Sequence, residues 1–163
     1  MINIVIADYQ NKQHELALIT MMQHYAYDPM GGSQPLSDYV IENLAKALNK
    51  IEGAFTVLAF DGDDPVGLIN CLPGFSTFYC KPLLNIHDAV IKESYRGQKL
   101  VQQLLAVVED EAYKMNCCKM TLEVLEGNEM AKSAYKRFGF SGYSLDPNMG
   151  NALFWDKKLT LKD

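Results

Sequence analysis

YRGQKLVQQLL, residues Tyr95–Leu105, is the stretch that decides how this chain is read. From Gln98 to Met115 the apolar residues Leu100, Leu104, Val108, Ala112 and Met115 fall at helical spacing, with Val101 and Leu105 beside them. That stripe predicts an amphipathic helix. A strand ending near Ile91, a short connection and this helix leave its first N–H groups without intrahelical partners. Those groups and the helix dipole attract an anion. Gly97 lets backbone come close to a ligand, and Arg96 and Lys99 add positive charge. Phosphate-wrapping loops usually carry more than one glycine, and Lys99 and Val101 stand where others would be expected. On these residues alone, an anion-binding turn and a plain turn into a helix both fit.

Downstream, CKMTLEVL (Cys118–Leu125) reads as a strand, Glu129–Phe138 as a helix and ALFWDKKL (Ala152–Leu159) as a last strand. Strand, helix, strand, helix implies a parallel pair joined by a right-handed crossover. Upstream, Ile2–Tyr9 reads as a first strand and Glu15–Tyr27 as a helix with Leu16, Ile19 and Met21 or Met22 in rhythm. DPMGGSQP (Asp28–Pro35) is a loop, made mobile by Gly31 and Gly32, and Ser37 caps a second helix through Leu48. Ala54–Phe60 runs into the turn DGDDP, and Val66–Leu72 pairs back from it. Breaks at Pro73-Gly74 and at Pro82 precede a strand over Leu83–Ile91, so three strands form an antiparallel meander. Residues 1–163 are expected to form a single α/β domain with a mixed sheet.

The 163 residues suffice for one proper core. A net charge of −5 argues against a nucleic-acid partner and is compatible with a cationic substrate. MINIVIADYQ lacks the basic segment and apolar run of a signal peptide, and nothing approaches a membrane span. Cys71, Cys80, Cys117 and Cys118 form no CxxC pair. They are read as reduced, mostly buried thiols of a cytoplasmic protein rather than metal ligands, with Cys117 and Cys118 on opposite faces of a strand.

The segment HDAVIKESYRGQKLVQQLL, followed by LEVLEGNEMAKSAYKRFGF, resembles the GNAT acetyltransferase superfamily. There a strand is followed by Arg/Gln-x-x-Gly-x-Gly/Ala and a helix. A second segment, Asn-x-x-Ala-x-x-x-Tyr-x-x-x-Gly-Phe, is complete here as Asn128, Ala131, Tyr135, Gly139 and Phe140. The resemblance runs from about His87 to Phe140. It implies a GNAT-like fold whose central sheet splays between two parallel strands, flanked by about four helices. It also implies acetyl-CoA in that gap. The pyrophosphate would rest on backbone amides of Gly97, Gln98, Lys99, Leu100, Val101 and Gln102, and the pantetheine arm on backbone groups of Ala89, Val90 and Ile91. Lys99 in place of glycine fits if its φ stays negative and its side chain points to solvent, with a looser approach of the pyrophosphate. A lysine ammonium also reaches a phosphate.

Acetylating an amine needs a neutral amine and a proton for the departing thiolate. A primary amine with pKa about 10.4 is neutral in roughly one molecule per thousand at pH 7.4, so a base in the site helps. In the resembled family the tyrosine matching Tyr135 protonates the coenzyme sulfur; a half-buried core aromatic is the alternative. Glu123 interrupts the apolar run MTLEVL, at a cost unless it is solvated or paired. Its setting is similar to that of ribosomal-protein alanine acetyltransferases, whose strand glutamate is the proposed base. His87 in LLNIHDAVI stands where polyamine and thialysine acetyltransferases, which this strand resembles, carry an acidic residue. Histidine titrates near neutrality and suits that task. Asp88 would point to the opposite face, as a structural or substrate-facing group. Tyr27 and Asp28 lie where the family places its acceptor lid, and Asn128 suits a helix cap and a coenzyme contact alike.

These readings lead to an N-acetyltransferase that uses acetyl-CoA, without metal, on a small-molecule amine by direct transfer. Alternatives are a catalytically weak coenzyme A-binding sensor or interaction module, and a protein N-terminal or lysine acetyltransferase. No membrane partner is expected, and the C-terminal strand offers a pairing edge for a homodimer.

Overall fold

The computed structural model describes residues 1–159. Its sheet runs β1 (Ile2–Ile6), β2 (Phe55–Asp61), β3 (Asp64–Ser76), β4 (Lys81–Ile91) and β5 (Met120–Leu122), in that spatial order. The first four strands are antiparallel neighbours, and β4 and β5 are parallel. The helices are α1 (Lys12–Tyr27), α2 (Asp38–Leu48), α3 (Leu100–Lys114) and α4 (Glu129–Phe138). α3 is the crossover connection between the parallel strands β4 and β5. This is the mixed α/β fold expected.

Three of the four helices, α1, α2 and α4, begin where short polar side chains satisfy their free N–H groups. Asn11 accepts from Gln13 and His14, Ser37 from Val40, and Asn128 from Ala131. α4 ends at Gly139, whose φ of 109° is a left-handed conformation that glycine adopts without strain.

Strand alternation divides the core in two. Val57, Ala59 and Ile69 pack with Leu100, Leu104, Leu105 and Val108 of α3. Leu58, Phe60, Leu68 and Val90 pack on the other face with Ala17, Leu18 and Met21 of α1 and Ala45 and Leu48 of α2. Gly67 sits where α3 comes closest: a methyl there would lie 3.0 Å from Leu104 and Ile91 and 3.3 Å from Ala59.

Several local expectations are corrected. Pro73-Gly74 and Pro82 do not break strands; Pro73 pairs with Leu84, and Pro82 with Phe75. The β2 ladder on β3 ends at Phe55–Cys71, so Pro73 stands where its strand has an unpaired side; Pro82 lies ahead of the β5 ladder, which begins at Leu84, and its carbonyl still accepts from Cys118 N–H at 2.8 Å. A missing N–H costs no ladder bond there. β5 is three residues long rather than eight. Cys117 and Cys118 precede it, so they are not opposite faces of a strand. All four thiols are free, but only Cys71 is buried and Cys80 is exposed. The expected strand over Ala152–Leu159 does not form. Leu153, Phe154 and Trp155 are 73–81% exposed, because a strand needs a partner edge and β5 offers only a short one. The pairing edge expected from that strand goes with it.

Gly67→Val forces extra methyl groups between Ala59, Ile91 and Leu104. Overpacking of this kind costs about 1–3 kcal/mol. Urea unfolding should show a lower midpoint with an unchanged slope; an unchanged midpoint would show that α3 simply moves away.

Candidate active site

β4 and β5 pair over three positions only, Leu84–Met120, Asn85–Thr121 and Ile86–Leu122. Beyond them β5 stops and β4 runs on. At the same place the β3–β4 register slips: Cys71 faces Ile86, yet Asn70 faces Asp88. His87 is the extra residue of this β-bulge. The slip inverts the alternation of β4. Leu84 and Ile86 point to the α3 face, but after the bulge Ala89 and Ile91 take that face and Val90 the other. The strict alternation that sets His87 and Asp88 on opposite faces therefore fails at this point.

The bulge also leaves a bare backbone edge. Lys92 N–H donates to Val66 O at 3.0 Å, so by antiparallel alternation the polar groups of Ala89 and Ile91 turn away from β3 toward the gap. Arg96 Nε already donates to Ile91 O at 3.1 Å. The groups of Ala89 and the N–H of Ile91 line the remaining edge, while Val90 turns its own groups to β3.

Past β4 the chain makes a tight turn over Glu93–Tyr95 and then two left-handed residues, Gly97 with φ 77° and Lys99 with φ 63°. The negative φ expected for Lys99 is corrected. Placing a residue with a Cβ in this region costs roughly 1–2 kcal/mol, so the turn keeps its shape against the preference of its own residue. Lys99 is the N-cap of α3 and offers its N–H groups no side-chain cap. Leu100 is buried and Val101 packs on the core, so both face the turn through backbone alone. The side chains of Gln98 and Gln102 are engaged by Ser94 O at 2.7 Å and Ala134 O at 3.4 Å, the second tying α3 to α4.

Arg96 does not hold its charge free for an anion. Its guanidinium meets Asp28 Oδ2 at 3.0 Å, a partly buried pair, and lies 3.8 Å from Glu93. Asp28 caps the short turn Pro29–Gly31 by accepting from Met30 N–H at 2.9 Å. That hydrogen bond is the largest cause holding its carboxyl below the usual range; burial opposes it, and the hydrogen bond and charge of Arg96 lower it further. The 28–35 loop is thus tied to α1 and to the turn after β4 by hydrogen bonds. Gln34 N–H donates to Ala26 O at 2.9 Å, and a methyl on Gly31 would lie 1.9 Å from Tyr25 O. Gly31 is there for close approach, not for looseness. Tyr27 is exposed at the end of α1.

Tyr135 lies on α4, edge-on to Phe140 with ring centroids 6.1 Å apart. Burial, and then the neighbouring Tyr25, push its phenol above the usual value. Tyr25, on α1, is itself pushed up by burial, by Asp88 and by Asp28. Tyr25 thus lies in the fields of Asp88 and Asp28, and Tyr135 in that of Tyr25. Tyr25 was missed in the sequence: the expected stripe ran through Leu16 and Ile19, whereas the helix buries Leu18 and Met21, two turns and one turn before Tyr25 on the same side, and leaves Leu16 exposed. Asn70 was missed as well; it donates to Asp88 Oδ2 at 2.9 Å. Asn128 Oδ1 accepts from Ala131 N–H at 3.2 Å, so its helix-cap role is realised.

Glu123 and His87 are exposed. Glu123 follows the end of β5 rather than interrupting a strand, and His87 rides the bulge. Neither makes a side-chain hydrogen bond or ion pair among the described residues. No helix is long and apolar enough to cross a membrane, and no cluster of three metal-binding side chains occurs, among the described residues.

The sequence model of the acetyltransferase (GNAT) family matches residues 18–140. Solved structures share the fold at low identity. An aminoglycoside acetyltransferase from an uncultured soil metagenomic sample, in complex with sisomicin, is 14% identical with a TM-score of 0.75, over 99% of this chain and 97% of that one. AAC(6')-Iy, in complex with the bisubstrate analog CoA-S-monomethyl-acetylneamine, is 14% identical with a TM-score of 0.75, over 98% and 99%. A ribosomal-protein-alanine N-acetyltransferase from Brucella melitensis biovar Abortus 2308 is 16% identical with a TM-score of 0.64, over 90% and 99%. The chain belongs to the GNAT family and is an N-acetyltransferase.

Two consequences of the turn are measurable. Lys99→Gly relieves the left-handed strain but gives the unfolded chain more freedom, worth about 0.5–1 kcal/mol. The net gain is about 0.5–1 kcal/mol, seen as a melting temperature higher by a few degrees; a lower one would reveal a stabilising contact of the lysine. Asp28 is charged more readily folded than unfolded, so it stabilises the fold above the ordinary carboxylate range, and that stabilisation disappears as pH falls through its lowered pKa. Asp28→Asn should therefore be less stable than wild type at neutral pH, with the difference closing in acid; a gap independent of pH would refute the charge argument.

Proposed function

We propose that this GNAT N-acetyltransferase moves acetyl from acetyl-CoA directly to a primary amine of a small cationic molecule, such as a polyamine or an amino acid. The observation that carries the reading is the bare edge of β4 at Ala89 and Ile91, where β5 stops short, with Asp88 beside it on the same strand and Tyr135 on α4 kept protonated by burial. A protonated phenol donates to a leaving group, and a carboxylate attracts an ammonium.

The residues around the gap fit acetyl-CoA, which would supply an activated acetyl thioester. The Ala89 groups and the Ile91 N–H would hold an extended amide-bearing arm as a strand neighbour does, with Val90 fixing that edge from behind. Backbone N–H groups from Gly97 to Gln102 would hold a phosphate, helped by the absence of a side-chain cap at Lys99. The paired Arg96 would shape the turn more than it neutralises phosphate, and Asn128 would set the start of α4 and thereby the height of Tyr135. Tyr135 would hold its proton at Oη until the thiolate leaves. Asp88 would hold the acceptor's ammonium, with Tyr27 and Asp28 on the loop beside it. His87 or Glu123, each exposed, would take the amine proton to water. The single domain over 1–163, a cytoplasmic setting and pairing of two copies belong to the same reading. The four free thiols and the exposed Leu153, Phe154 and Trp155 support the last two.

Tyr135→Phe tests the acid. Free-thiol release from acetyl-CoA with spermidine, tobramycin and single amino acids should lose roughly a hundredfold or more in kcat, with coenzyme affinity nearly unchanged. Because burial raises the Tyr135 phenol, the wild-type rate should hold through neutral pH and fall only above the ordinary tyrosine range. An undiminished kcat in the variant would remove Tyr135 from this role.

A further inference from the structure

On the α1–α2 face of the sheet, three laterally paired positions carry polar side chains where apolar ones would pack. Thr56 of β2 pairs with Asn70 of β3, and Asn70 with Asp88 of β4. Thr56 is 0% exposed and Asn70 4%. Tyr9 Oη lies 2.9 Å from Thr56 Oγ1, Thr56 Oγ1 donates to Asn70 Oδ1 at 2.6 Å, and Asn70 Nδ2 donates to Asp88 Oδ2 at 2.9 Å. Asn70 Nδ2 also approaches Met22 Sδ at 3.3 Å.

Proton counting gives the line a direction. A carbonyl oxygen only accepts, so the single Thr56 hydroxyl proton goes to Asn70, and Thr56 must then accept from Tyr9. The amide of Asn70 is locked, with its oxygen to Thr56 and its nitrogen to Asp88. An amide does not pass a proton along this line, so the line orients and does not relay. At its end Asp88 Oδ2 is committed, while Oδ1 makes no hydrogen bond with described residues and the carboxylate lies in the field of Tyr25. Buried polar groups in a sheet centre cost more than well-packed apolar ones, so a fully directed string ending at an accessible carboxylate calls for a use.

We propose that Tyr9, Thr56 and Asn70 form one positioning device that aims the Asp88 carboxylate at a cationic amine. It rests on the transferase reading for the fate of that amine, but not for its binding.

Calorimetry of the full chain saturated with coenzyme A, using spermidine and tobramycin as probes, tests it beside thiol-release kinetics with the same amines. Thr56→Val keeps the shape and removes the hydroxyl; it should weaken amine binding and raise KM about tenfold, a loss of one well-placed charged hydrogen bond, with coenzyme affinity unmoved. Thr56→Ser should restore both. In an Asp88→Asn background, Thr56→Val should add nothing, because the two changes act on one interaction. Equal losses with and without Asp88, a lower melting temperature with amine affinity intact, or no amine binding by the wild type would each overturn the proposal. Asp88-dependent binding without thiol release would support it while overturning the transferase reading.

Discussion

The site depends on one irregularity, the extra residue in β4 at His87. A regular strand would keep Leu84, Ile86, Asp88 and Val90 on one face. With the register slipped, Leu84 and Ile86 fill the α3 core while Asp88 and Val90 turn to α1. The same strand therefore closes one core and presents a carboxylate to the other side of the sheet. β5 ends level with the bulge, at Leu122. A parallel partner that continued would bond the Ala89 and Ile91 groups and leave nothing for a ligand. Bulge and short strand act together: one turns the side chains, the other exposes the main chain.

The turn between β4 and α3 is held by features that look unfavourable one at a time. Lys99 sits in a left-handed conformation, and α3 begins without a side-chain cap. Such strain persists only where surroundings over-determine it. Here Leu100 is anchored in the core at one end, and Arg96 is fixed at the other by Ile91 O and Asp28. Arg96 consequently does something its place in the sequence does not advertise. It joins the turn to the loop after α1.

Much of this was legible from residues alone, and the exceptions share a cause. Ser37, Asn128 and the α3 stripe announce helices because caps and apolar spacing are local, and the Asp61–Asp64 hairpin is local in the same way. The parallel pair followed from element order. The bulge did not show, because His87 is compatible with a regular strand and the slip is a relation to β3. Pro73 read as a break because an unpaired strand side is also a relation, visible only once β2 is known to stop short, and Pro82 because where the β5 ladder begins is a relation too. Ala152–Leu159 has the side chains of a strand and lacks the neighbour. Asn70 was readable in principle, as a polar residue in VGLINCL, by the reasoning that singled out Glu123; the structure buries the first and exposes the second.

The electrostatics of the gap follow from which charges are already spent. Of the two carboxylates that press on Tyr25, Asp28 is engaged by Arg96 and by Met30 N–H. Tyr25 and Tyr135 stay neutral, since burial heads the causes raising both. Neither phenol then adds negative charge to compete for a cation, and the paired arginine adds no free positive charge to repel one. Of those two carboxylates, Asp88 is the one with an oxygen, Oδ1, that makes no hydrogen bond with described residues. A partly buried site with a single unspent negative charge selects a cation more strongly than one with several mutually compensating charges, because the ion entering it gives up water for a partner held in place. The overall charge of −5 says little about this; the pairing of Asp28 with Arg96, which takes two charges out of the count, says most of it.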